Sequence, residues 1–258
     1  MIPLIFAIAA GPLLVLIWSL TYSSQCWALG LPLIIILIVT VAARDRIRHR
    51  RQCLADCYFV RGSLLHRMLR STTIITVTSV VIATFLTVIL LSSTPGWSIE
   101  MLALLAMDSI VIAMLYFGLL HAANGVFKVN EGFQSIFARN WTVAINVPVV
   151  VVALLLLQLR EPPPDYLDPS LNLTTTMQAA SNELTSKCQI IDTLIRTQQE
   201  AEAFSWWLMI KSSSVIEDGH LRWAVWLFFL LSGALGLLAF SRFCVQLVHY
   251  AHQFGNRK

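Results

Sequence analysis

The run TTIITVTSVVIATFLTVILLS occupies residues 72–92 and carries no ionised side chain. A helix of about 20 such residues covers a hydrocarbon core about 30 Å thick, whereas a lone strand would leave its backbone groups without partners in lipid. The stretch therefore predicts a transmembrane helix. Five others resemble it: Pro3 to Tyr22, Cys26 to Ala43, Ile99 to His121, Trp141 to Leu159 and Trp223 to Phe243.

The whole chain agrees with this reading. Of its 258 residues, 57% are hydrophobic and 12% charged, against about 45–50% and about 25% in soluble domains, which excludes a soluble globule. The expected fold is an all-α, polytopic transmembrane bundle of six spans. Residues 1–43 hold the first two spans and 44–71 an arginine-rich loop; 72–159 hold spans three to five. A helical extracytoplasmic insertion, 160–222, precedes the last span and tail, 223–258. The first apolar run has no basic residue ahead of it, so it is read as a retained span rather than a cleaved signal.

Charge sets the expected orientation. Arg44, Arg46, Arg48, Arg50 and Arg51, followed by Arg61, Arg67 and Arg70, face only Asp45 and Asp56, leaving the loop at +6. By the positive-inside rule this loop is cytoplasmic, and the span count then puts both termini inside. The tail fits, with Arg242, Arg257 and Lys258. The stretch from Glu161 to Arg222 fits the opposite side, with nine acidic residues against four basic ones. The net charge of +4 thus averages two unlike faces and implies no nucleic-acid partner. The five arginines from Arg44 to Arg51 are expected to meet lipid headgroups or an acidic partner.

The insertion opens with Arg160-Glu-Pro-Pro-Pro-Asp165, a stiff extended spacer. From 170 to 202 there is no glycine or proline, and Met177, Leu184 and Ile191 recur every seventh residue beside Cys188 and Ile195. One amphipathic helix of about seven turns is predicted, its apolar stripe offered to another copy or another membrane subunit. Cys26 and Cys188 are the two cysteines on the oxidising side and are candidates for a disulfide. His49, Cys53 and Cys57 share one helical face, but surrounding arginines disfavour a cation, so no metal site and no cofactor is assigned. His249 and His252 are read as facing headgroups or water.

Within the membrane, Asp108 is the one ionisable group clearly at mid-depth on this reading. A carboxylate there costs at least ~2.5–3.5 kcal/mol, so it should be neutral, paired, or turned to water or another helix. Its candidate partners are a threonine face of the third span, Thr73, Thr76, Thr84 and Thr87, and Asn146 just ahead of Pro148. Asp108, Thr76, Thr84 and Asn146 would form either an ion path or interhelical glue. Small residues at Ala7, Gly11 and from Ser232 to Gly236 fit close helix packing.

Walker-type, HExxH and GxSxG patterns are all missing from the sequence. The sequence thus points to a non-enzymatic inner (plasma) membrane subunit that scaffolds or senses within a homo-oligomer or larger complex. The alternative is an ion or proton channel with Asp108 in the conduction path.

Overall fold

A computed structural model describes residues 2–24, 26–58, 63–158, 164, 167, 172–215 and 219–256. Among them the regular structure is all helix, with no strand. In order the helices are α1 (Ile2–Thr21), α2 (Gly30–Tyr58), α3 (Leu64–Arg70), α4 (Thr72–Ser93), α5 (Ile99–Gly125), α6 (Glu131–Gln158), α7 (Leu173–Ser181), α8 (Gln189–Val215) and α9 (Gly219–Asn256). Six of them, α1, α2, α4, α5, α6 and α9, are long and apolar enough to cross a membrane. This is an integral membrane protein built as an all-α, multi-pass bundle.

The centre of the bundle is α9. Of its apolar stretch Ala234–Gly255, 61% is buried, against 18–39% in the other five spans. Around it stand α1, α2, α4, α5 and α6, with α5 also packed on α6 and α2 on α4. Each outer helix turns one row inward. On α1 the row is Ala7, Gly11, Val15 and Trp18; on α4 it is Ile75, Ser79, Ala83, Leu86 and Leu90. These 3- and 4-residue steps follow the 3.6-residue turn. The opposite sides expose Phe6, Leu20, Leu33, Leu37, Val81 and Met114, which suits a lipid solvent.

The small residues act where the sequence placed them. A Cβ on Gly11 would stand 2.5 Å from Cys244 Sγ, and one on Gly236 would stand 3.3 Å from Ser93 Oγ. Glycine thus lets α1 and α4 approach α9. Proline breaks neither helix that contains it: Pro12 lies inside α1 and Pro148 inside α6. Residue 148 has no N–H, so the Ala144 carbonyl loses its helical donor although the helix continues.

The expected last span, Trp223 to Phe243, falls within α9; its side chains at 223–226 and 228–233 lie outside the described residues. One expectation about the last third needs correction. The 170–202 helix is two helices. α7 ends at Ser181, the Asn182 N–H bonds the Ala179 carbonyl, and α8 begins only at Gln189. The break has a physical cause. Asp192 accepts the Ser186 N–H at 2.9 Å and Arg196 at 2.7 Å, and Ser186 Oγ donates to the Tyr22 carbonyl at 2.6 Å. The Ser186 amide, then the Arg196 guanidinium, hold the Asp192 carboxyl below its usual range. Local polar bonds thus outcompete helix continuation across residues 182–188.

The apolar stripe is covered from within. Cys188, Ile191 and Ile195 are fully buried and belong to the main core, where α8 packs on α7, α4 and α9. The reason for assigning this stripe to another copy falls away. Cys26 and Cys188 are joined as a disulfide with Cα atoms 4.9 Å apart, closing a sequence separation of 162 residues. It ties the α7–α8 cap to the turn between α1 and α2.

Chain-entropy arguments give such a loop up to about 5 kcal/mol of stabilisation. Cys188→Ser should therefore lower the thermal midpoint of the purified protein clearly, and mass labelling of the unreduced, denatured wild type should find both thiols protected. Two reactive thiols at these positions would contradict the pairing.

Candidate functional site

Polar side chains enter the membrane mainly where α5, α6 and α9 meet. At mid-depth Asn146 Nδ2 donates to Asp108 Oδ1 at 2.9 Å and reaches Ser241 Oγ at 3.3 Å. All three are buried, Asp108 at 4% exposure. The two remaining acceptors, Asp108 Oδ2 and Asn146 Oδ1, have no hydrogen-bond partner. The pair is therefore one donor short. A proton held on the carboxyl supplies it, which is how a carboxyl avoids an unpaired charge at this depth.

Of the residues expected around Asp108, the structure brings in Asn146 and leaves out the threonines. Thr84 is exposed and Thr76 only half-buried, because the buried row of α4 is the one through Ser79 and Ala83. Moreover α4 packs chiefly on α2, α9 and α8, while Asp108 on α5 looks toward α6 and α9. Thr87 is buried, but its hydroxyl has no hydrogen-bond partner. Periodicity placed the threonines on one face without saying which way the face turns.

A second layer lies toward the arginine-rich end. Tyr116 Oη meets His249 Nδ1 at 2.8 Å, and Gln253 Nε2 meets His249 Nε2 at 3.1 Å. His249 is thus bonded at both ring nitrogens and is 4% exposed, not turned to headgroups as expected. His252 packs edge-on against Phe117, with centroids 5.5 Å apart. Nearby, Arg139 Nη1 donates to Gln246 Oε1 at 3.1 Å and Arg139 Nε to the Ser135 carbonyl at 3.3 Å.

Arg139 and Arg242 also lie inside the apolar stretches Phe133–Leu154 and Ala234–Gly255. Both arginines line a cavity of about 260 Å³ between α2, α4, α6 and α9, with Asn140, Gln246 and mostly aliphatic neighbours. The expected last span, Trp223 to Phe243, took in Arg242 but stopped short of the polar residues further along α9. The signal was nevertheless present. Arg242, Gln246, His249 and Gln253 recur at steps of four, three and four, a polar stripe along one side of α9.

At the end of α2, Arg44, Arg48, Gln52 and Arg70 line a second cavity of about 230 Å³. Arg44 and Arg48 are exposed, and Arg51 Nη2 donates to Thr78 Oγ1 at 3.4 Å. The region expected as a loop is largely helical, through α2 and α3. The side chains of Arg46, Arg50, His49, Cys53 and Cys57 lie outside the described residues.

Compared with known protein families, curated proteins and solved structures, the chain shows no match. Its function has to be argued from the geometry alone.

Asn146 is the hub of the mid-depth cluster, so Asn146→Leu should destabilise the protein by about 1–3 kcal/mol by leaving the Asp108 carboxyl without its donor. Ser241→Ala should cost only about 0.6 kcal/mol, the average for an interhelical bond in a membrane. Thermal unfolding of the two variants in detergent measures the order.

Proposed function

We propose that the chain is a non-enzymatic subunit of the inner (plasma) membrane, with both termini in the cytoplasm, that scaffolds or senses within a homo-oligomer or larger membrane complex. One observation carries this reading: the deep carboxyl is engaged. Asp108 is buried and bonded to Asn146, and it lines neither of the two cavities above. A conduction path needs a wetted series of stations through the membrane. Here the polar groups meet one another helix to helix, as interhelical hydrogen bonds do.

The external cap supports the same reading. Its tie through Cys26–Cys188, with the Ser186–Tyr22 bond beside it, holds α7 and α8 in a fixed relation to the membrane body. A disulfide favours an oxidising compartment on that side, which agrees with the orientation taken from the arginines. The cap keeps Ile190 exposed at 60% while its inner stripe is buried. It is therefore the rigid surface that the protein offers outside.

Reconstitution into liposomes separates the two readings. For a subunit of this kind, proton and monovalent-cation flux should stay at the level of protein-free vesicles, for the wild type and for Asp108→Asn alike. A wild-type flux that Asp108→Asn abolishes would establish the channel instead.

A further inference from the structure

We infer that the cavity between α2, α4, α6 and α9 is a binding site for the phosphate headgroup of an anionic phospholipid, drawn from the leaflet at the arginine-rich end. The lining carries two guanidinium groups, Arg139 and Arg242, with the amides of Asn140 and Gln246, and no acidic side chain. Among the described residues, Asp45 on α2 is exposed and Asp108 is turned to Asn146. The charged groups of the lining itself are all basic.

Gln246 shows what the cavity lacks. It is 2% exposed and its Oε1 accepts from Arg139, which fixes the amide with Nε2 as the remaining group. Nε2 is buried and makes no full hydrogen bond, its contact with the Tyr250 hydroxyl one turn further along α9 being too long or too bent to count as one. An unmet donor beside two guanidinium groups calls for an acceptor with several oxygens and negative charge, and a phosphate is the best match. The cavity volume of about 260 Å³ is room for roughly eight waters at liquid density, enough for such a group.

A lipid fits better than a free ion. Most of the lining is aliphatic, including Ile47, Ile82, Leu86 and Val143, and it lies within membrane-spanning helices. A free phosphate would leave that surface uncovered, whereas the glycerol and upper acyl carbons of a lipid would bury it. Basic pockets between membrane helices are established headgroup sites in general. The entry side is also basic. Arg44, Arg48 and Arg70 line the neighbouring cavity at the end of α2 and the start of α4, the same two helices that supply Ala43, Ile47, Ile82 and Leu86 to the deeper one.

The test uses the full-length protein in a neutral detergent, titrated with phosphatidylglycerol, phosphatidylcholine or inorganic phosphate, with thermal midpoint and native mass as readouts. Phosphatidylglycerol should raise the midpoint and remain bound in the mass spectrum; the other two should not. Gln246→Leu and Arg242→Gln should each weaken the apparent affinity for phosphatidylglycerol by at least about tenfold, and Arg67→Gln, an exposed residue on α3, should leave it unchanged. The wild-type comparison stands even where a variant folds poorly. Equal shifts from phosphatidylcholine, an equal shift from inorganic phosphate, or undiminished affinity in folded lining variants would each overturn the assignment.

Discussion

Every polar group that α9 carries into the membrane has to be met by a neighbouring helix. The bundle is arranged around that demand. Ser241 meets Asn146 on α6, which in turn holds Asp108 on α5; Gln246 meets Arg139 on α6; His249 meets Tyr116 on α5. In hydrocarbon an unmet polar group costs several kcal/mol, so these bonds select one rotation of α9 over others of similar apolar packing. Glycine at 11 and 236 then lets α1 and α4 close against the remaining sides. Specific polar pairing sets the register, and apolar packing fills it.

The two ends of the bundle are built differently. One end is tied covalently and by short hydrogen bonds, with Cys188 and Ser186 of the cap joined to Cys26 and Tyr22. The other end is open and basic, where α2 continues past the apolar stretch with its arginines and two cavities lie between the helices. One end is thus tied down, and the other is open and basic.

Much of this was legible in the sequence because a hydrocarbon solvent leaves few choices. Length and apolarity located the six spans, and charge and compartment arguments singled out Cys26 and Cys188. Asn146 was also picked out as the partner of Asp108. What stayed hidden depended on rotation and register. Of the threonines of α4, Thr73 and Thr84 turn outward and Thr76 is half-buried, while the buried Thr87 makes no hydrogen bond. The bonds of Ser241, Gln246 and His249 also stayed hidden, since their partners stand on other helices and no single-sequence window sees those partners. The break at 182–188 rests on one carboxyl, Asp192, capturing the Ser186 amide, an event invisible to heptad counting.

The central claim is that this closed helical body works as a subunit rather than as a self-sufficient conductor or catalyst. The most direct measurement is the native mass of the protein purified in mild detergent from its own host, with whatever remains bound. The account predicts a defined assembly, heavier than one chain by whole protein subunits. A single chain accompanied by lipid alone would contradict it.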